Sequence, residues 1–379
     1  MVNSNANAIG IIFPNSYDNL VPELAGDRLM ASIPFAGRYR IIDFLLSSLA
    51  NCGISNIAIV VRENYHSLMD HLGSGRAWDL LRKNGGLSIF PPYAEKNMKV
   101  YSGRVEALES ILPYLKSKKE KYVIMMDANI AVDFDFNAML AEHIESGADV
   151  TVAYTEQEIP AELIRAGSHG DMYYTLKLDD GRVRRIFMNS EMCGKQNLSM
   201  NIYIMDREAL IDKIHAAFVR GYSCFERDIL APRLEKYNIR GYKYDGYYAR
   251  ICGLKSYFDE NMKLLDDENL DALFTGGQIY TKIRDDNPTR YINGCKTKNN
   301  LVADGCVIEG DVENCVLFRG VKIAKGAKIR NSVLMQDTVV KAGARLDYVV
   351  TDKNVTIEVG QELKGTDTQP FYVAKGRTV

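Results

Sequence analysis

The feature that most constrains this chain lies in its last third, where apolar residues recur at every sixth position. Leu317, Ile323, Ile329 and Met335 form one row, and Leu334, Val340 and Leu346 a second. Val302 with Ile308 and Val333 with Val339 add shorter ones, with Gly305, Gly310, Gly320, Gly326, Ala327 and Gly343 filling the gaps. A six-residue period fits neither the 3.6 of an α-helix nor the simple alternation of a strand. It predicts a left-handed parallel β-helix over 300–379, each coil stacking its aliphatic residues on the next. An irregular β-sandwich is the alternative, and the regular repeat length speaks against it. The rows slip phase near Val312–Val316, which predicts a bulge or loop in one coil. A stack of coils exposes strand edges and apolar end faces, so assembly through this part of the chain is expected.

The first two-thirds has a different grammar. Ala8–Phe13 is a short apolar run suited to a buried parallel strand. Helical spacing follows over Ile41–Cys52, closed by Gly53, and then a strand over Asn56–Val61. Val105–Lys116 reads as a helix, Tyr122–Met126 as a strand, Phe136–Ser146 as a helix and Asp149–Tyr154 as a strand. This alternation predicts an α/β domain over 1–275 with a mixed, mainly parallel, Rossmann-like sheet covered on both faces. Gly276-Gly277 through Asn287-Pro288 reads as a linker, taken as 276–299. Ligands on such sheets sit beyond the carboxyl ends of the strands.

Composition narrows the partners. A formal net charge of −2 gives no reason to expect nucleic acid. Met1–Ala8 lacks the basic and apolar parts of a signal peptide, and no apolar stretch approaches a membrane span, so a cytoplasmic protein is expected. Seven cysteines at wide spacings, with no C-x-x-C pair, read as reduced thiols rather than a zinc site. His66, His71, His143, His169 and His215 show no metal-ligand spacing. The dense tyrosines of Tyr242–Tyr248 read as strand and core more than as an interface.

Several segments carry a resemblance. Phe35-Ala36-Gly37-Arg38-Tyr39-Arg40-Ile41-Ile42-Asp43-Phe44 resembles the F-G-G-[KR]-[FY]-R-I-I-D-F block of bacterial ADP-glucose pyrophosphorylases. Asn51-Cys52-Gly53-Ile54 continues it in register. Tyr101-Ser102-Gly103-Arg104-Val105-Glu106-Ala107 resembles that family's Y-R-G-T-A-D-A, and Ser199-Met200-Asn201-Ile202-Tyr203 its S-M-G-I-Y. Tyr248-Ala249-Arg250-Ile251-Cys252-Gly253 is similar to Y-W-R-D-V-G. The resemblance spans nearly the whole chain. It implies a nucleotidyltransferase domain followed by the hexapeptide β-helix, with Tyr101, Gly103, Asn201 and Arg250 lining a sugar-phosphate pocket.

The departures from the family pattern bear on activity. The family's glycine-rich, basic phosphate loop is replaced by Phe13-Pro14-Asn15-Ser16-Tyr17-Asp18. Pro14 has no N–H to offer a phosphate, Asp18 would repel one, and no basic side chain precedes Arg28. The lysine of the family's A-K-P segment falls at Met30. Its two metal-binding aspartates align with Asn129 and Ile251, which offer one neutral oxygen and none. The lysine of its E-K-P motif has no counterpart in Met188-Asn189-Ser190. Joining two polyanions depends on charge neutralisation, so these losses should remove most catalysis. Asp127 shares a strand face with Asn129 but lies roughly 7 Å back along it, within reach of a metal only through a bulge.

The resemblance therefore implies the GlgD-type branch of the family, a regulatory subunit forming a heterotetramer with a catalytic paralogue in glycogen synthesis. No catalytic residue and no metal are expected. Arg38 and Arg40 are candidate contacts for an anionic effector, a sugar phosphate or nucleotide; the bland reading pairs them with surface carboxylates. Two alternatives stay open: an active glucose-1-phosphate adenylyltransferase with divergent magnesium ligands, and a sugar-phosphate sensor without turnover. The sequence leaves open a homo-oligomer of the isolated chain. An acyltransferase, the other use of hexapeptide coils, would want a histidine in them, and none follows His215.

Overall fold

Asp180 and Gly181, at φ 49° and 71°, make a two-residue turn that adds an antiparallel hairpin to the α/β part. They join strands Tyr174–Asp179 and Arg182–Met188 in a hairpin. An Asp-Gly pair is among the strongest short hairpin signals, because both positions must adopt positive φ. The structure, a computed structural model, describes residues 7–82, 85–92, 101, 103–167 and 173–379. Ser102 and His169 of the sequence reading lie outside the described residues.

The chain forms two compact units. The first comprises Met1–Leu20, Leu45–Ala128 and Phe134–Gly246. It is built on nine strands: β1 (Ala8–Phe13), β2 (Asn56–Val60), β3 (Gly86–Phe90), β4 (Tyr122–Asp127), β5 (Val150–Glu158), β6 (Tyr174–Asp179), β7 (Arg182–Met188), β8 (Lys195–Asp206) and β9 (Ile239–Lys243). They lie in the order β3-β2-β1-β4-β8-β5-β9-β7-β6, and β6 also pairs with β8. Parallel pairing holds from β3 to β4 and again between β5 and β9. Where β8 and the hairpin enter, the pairing is antiparallel, so the sheet is mixed as expected, but with as many antiparallel as parallel neighbours along its order. Every residue of β1 and β4 is buried, as two-sided coverage requires.

The helices follow local rules. The single helix expected over Val105–Lys116 is two, Arg104–Ser110 and Leu112–Ser117. Pro113 supplies no N–H and is tolerated only in a first turn, so the chain breaks at Ile111, φ −104° and ψ 8°. Helix Phe136–Glu145 is capped by the Asp135 carboxylate, which accepts from the N–H groups of Asn137 and Ala138 at 2.9 and 3.0 Å. Tyr242 and Tyr244 pack on the Phe134 ring, but the strand ends at Lys243 and the tyrosines of Tyr242–Tyr248 are half-buried, so the segment is strand and core only in part.

The second unit comprises Val21–Phe44, Asn129–Asp133 and Tyr247–Val379. Its hexapeptide region is a stack of parallel coils. One ladder runs Tyr291, Ile308, Ile323, Val340, Ile357, and another Val312, Ile329, Leu346, Leu363. All of these except Tyr291 are buried. The phase slip has a physical form: Lys296 pairs with Asp311 two residues sooner than Asp311 pairs with Lys328, Lys328 with Arg345, or Arg345 with Glu362. Asn299, Asn314 and Asn331 turn one corner of successive coils at φ 52°, 52° and 45°. Their amides hydrogen-bond up the stack, ending on Asp347. Asparagine suits such a corner because it tolerates left-handed backbone and bonds along the ladder.

The segment Val21–Phe44 is tied into the same unit. Arg28 Nη2 bonds both oxygens of Asp352 at 2.7 and 2.6 Å, both side chains being buried. Ala36 N–H donates to Asn261 Oδ1 at 3.1 Å and Tyr257 OH to the Pro34 carbonyl at 2.8 Å. Ala36, where the related block carries glycine, holds a φ of 53°.

Candidate functional site

β1 is the switch point of the sheet: its neighbours β2 and β4 lie on opposite sides and both run parallel to it. A ligand on a sheet of this kind enters the crevice beyond the carboxyl ends of β1 and β4. Here those ends are Phe13 and Asp127, paired in register.

The loop after β1 is closed by its own side chains. Asn15 Oδ1 accepts from the Arg62 N–H at 2.7 Å, while Asn15 Nδ2 donates to Asp18 at 2.8 Å and to the Glu63 carbonyl at 3.1 Å. Tyr17 sits at φ 69°. The loop thus presents a proline without an N–H and an asparagine whose side-chain amide is already hydrogen-bonded.

Asp127 is fully occupied. Arg104 Nη2 donates to its two oxygens at 2.7 and 2.8 Å, Ser16 Oγ to Oδ1 at 2.7 Å, and Asn201 Nδ2 to Oδ2 at 2.9 Å. Arg104 Nη1 bonds Glu226 on the other side. The guanidinium lies over the rings of Phe13 and Tyr203, 5.1 and 5.5 Å from their centroids. Burial opposes its charge, but Asp127 and Glu226 more than offset this and hold its pKa well above the usual arginine range. Glu226 sits in the first turn of the π-helix Phe225–Leu230. Beside it, burial pushes the Cys224 thiol up, so that cysteine is no nucleophile.

The sequence-predicted pocket residues of this unit have other occupations. Asn201 stands at a register shift of β8 with φ 56°, where the related segment has glycine, and bonds Tyr17 as well as Asp127. Tyr101 is a core side chain whose hydroxyl meets Ser110 Oγ at 3.4 Å. Gly103 has extended backbone, and a Cβ there would run into the Ser223 carbonyl. Three of the four described histidines are engaged elsewhere: His143 Nδ1 with Thr151 at 2.8 Å, His215 with Glu109 at 3.1 Å, and His71 against Trp78.

In the second unit the two metal-aspartate positions are neighbours by backbone, Ile251 N–H donating to the Asn129 carbonyl at 2.9 Å. Ile251 is fully buried and apolar; Asn129 is buried with neither amide atom hydrogen-bonded. Arg250 lies over the Tyr248 ring. Asn129 and Ile251 do not fit a magnesium ion, which demands hard and preferably anionic oxygens. Asp127 offers no substitute, since Arg104, Ser16 and Asn201 all claim its oxygens.

The candidate effector arginines differ. Arg38 is half-exposed and pairs weakly with Asp304 at 3.8 Å. Arg40 belongs to a basic group with Arg28, Lys353 and Lys375, against Asp352. Asp352 is already claimed by Arg28, by Tyr372 OH at 3.1 Å and by the Lys353 N–H at 2.6 Å. Burial, then Arg40 and Arg28, lowers the Lys353 ammonium to about 7. Met30 is a buried side chain here. Nothing in the sequence flagged Lys353, Glu226 or the use of Arg104, because each depends on a partner far along the chain.

The fold and these positions define a nucleotidyltransferase-type domain carrying hexapeptide coils, and sequence comparison agrees. Residues 24–187 match the Nucleotidyl transferase family and residues 285–377 the GlmU-like, C-terminal hexapeptide family. The chain is 37% identical over 374 residues to Glycogen biosynthesis protein GlgD of Geobacillus stearothermophilus, spanning 98% of this chain and 97% of that protein. It is 33% identical to GlgD of Bacillus subtilis over the same shares. Glucose-1-phosphate adenylyltransferase of Bacillus mycoides is 32% identical over 336 residues, 87% of each chain. The chain belongs to the glucose-1-phosphate adenylyltransferase (ADP-glucose pyrophosphorylase) family, in its GlgD branch.

Proposed function

We propose that this protein is a regulatory, catalytically silent subunit of glucose-1-phosphate adenylyltransferase in glycogen biosynthesis. It would act by assembling with a catalytic paralogue as a heterotetramer in the cytoplasm. The observation that carries this reading is the engagement of Asp127, the carboxylate two residues before Asn129, whose oxygens are spent on Arg104, Ser16 and Asn201. Asn129 and Ile251 support it, since neither supplies an anionic ligand.

Effector binding is the second part of the reading. Arg40, Arg28 and Lys375 all act against the Lys353 ammonium, with Lys375 also paired to Asp27 at 3.5 Å, and an anionic phosphate would stabilise that ammonium. Arg38, half-exposed and weakly paired, is a peripheral contact at most. Such a subunit modulates its partner by favouring one of the partner's states, to the extent that the effector binds that state better. We take the coil stack as left-handed and as the surface through which subunits meet.

The test is pyrophosphate release from ATP and glucose 1-phosphate with magnesium, measured for this chain alone and mixed with its catalytic paralogue. Silence alone with an altered rate or effector response in the mixture is the expected result. Magnesium-dependent turnover by this chain alone would overturn it and favour the independent enzyme. Saturable glucose 1-phosphate binding without turnover or effect on the paralogue would favour the sensor.

A further inference from the structure

We propose that the Arg104 guanidinium is a resident cation that closes the switch-point crevice, holding the two carboxylates Asp127 and Glu226 that a metal–polyphosphate complex would otherwise meet. The inference goes beyond catalytic silence: it concerns whether the nucleotide enters at all.

Position comes first. Asp127 ends β4 beside the end of β1, where a parallel sheet receives its ligand. Arg104 opens the helix Arg104–Ser110 and reaches across that spot, covered by the Phe13 ring on one side and Tyr203 on the other. In the related family segment this position is a threonine, too short to make the same reach. The sequence change and the ion pair thus coincide at one residue.

Charge comes second. One guanidinium sits between two carboxylates, both side chains almost fully buried, so the filled crevice offers no positive potential to a triphosphate. Removal of the guanidinium would leave two negative charges, which a divalent cation is suited to balance. The cation would retain several waters and use the carboxylates without the close cage a bare ion needs.

Satisfaction comes third. Ser16 and Asn201 donate to the same Asp127 oxygens, at 2.7 and 2.9 Å. An incoming metal must therefore displace a buried, hydrogen-bonded ion pair, not an open carboxylate. Breaking such a pair costs several kcal/mol, which sets a barrier to binding as well as to chemistry.

The test is titration of manganese–ATP into the full-length protein by calorimetry, with bound manganese followed by electron paramagnetic resonance. Wild type should show no saturable binding at millimolar ligand. Arg104→Thr should bind at least tenfold more tightly than wild type. Because Arg104→Thr leaves two buried carboxylates unanswered, the charge-balanced double variant Arg104→Thr/Glu226→Gln is measured beside it, and gain of binding in either supports the plug. Saturable binding by wild type, or folded variants that bind no more tightly than wild type, would overturn it. Binding by wild type without pyrophosphate release would sink this inference alone, whereas pyrophosphate release by wild type would sink the regulatory reading too.

Discussion

Two regions of this molecule gather arginines and lysines, and they balance them in opposite ways. At the end of β4, Arg104 is answered twice over, by Asp127 and Glu226. In the group around Lys353, Arg40, Arg28 and Lys375 bear on one ammonium, while Asp352 is bonded to Arg28 and Tyr372 and Asp27 pairs with Lys375. A satisfied buried pair is a structural element that excludes ligands. An under-answered basic group stores unfavourable charge that an anion relieves. On the readings proposed above, the same residue types make a closed door in one unit and an anion contact in the other.

The largest effect should come from breaking the closed door. Asp127→Ala leaves Arg104 with one acid and strips Ser16 and Asn201 of their acceptor, and should cost about 3–5 kcal/mol in urea unfolding. A loss under about 1 kcal/mol would mean the pair is not buried as described.

The open group makes a smaller, pH-dependent prediction. The Lys353 pKa of about 7 is depressed, so the unfolded chain holds a proton that the folded chain releases. Stability should therefore rise as pH climbs from about 7 toward the usual lysine range, and Lys353→Met should flatten that rise. A bound anion favours the charged ammonium and draws a proton back. Sulfate, whose charge is constant in this range, should bind roughly tenfold more weakly at pH 8.5 than at pH 6.5, since one pH unit is worth up to a factor of ten. Equal affinity at both values, measured by calorimetry, would remove Lys353 from the site.

The smallest effect sharpens the comparison from the backbone side. Ala36 holds a left-handed φ of 53° in the segment that delivers Arg40. Ala36→Gly should raise stability by about 1 kcal/mol, read as a higher urea midpoint, while leaving sulfate binding unchanged. If binding weakens as well, the strained turn is positioning Arg40.

Much of the architecture was legible in the residues. The rows from Leu317 to Met335 and from Leu334 to Leu346 are buried as their period required. Ala8–Phe13 is a fully buried strand. Other features were present but unread: the Asp180-Gly181 turn announces an antiparallel hairpin at one end of the sheet, and Pro113 announces the break in a helix read as one. The attachment of Val21–Phe44 to the coil-bearing unit had no local signal at all.

By itself the sequence determined the period of the coils, the strand–helix alternation and a Phe13–Asp18 segment without a basic side chain. Those are properties of neighbours along the chain, and periodicity and side-chain chemistry express them directly. Only the tertiary structure decided what became of Asp127, because its partner Arg104 stands 23 positions away and Arg104's second acid a further 122 beyond. It likewise decided that Arg40 meets Lys353. Charges pair through space, and in a low-dielectric interior the identity of the partner, more than the residue, sets whether a site is shut or open.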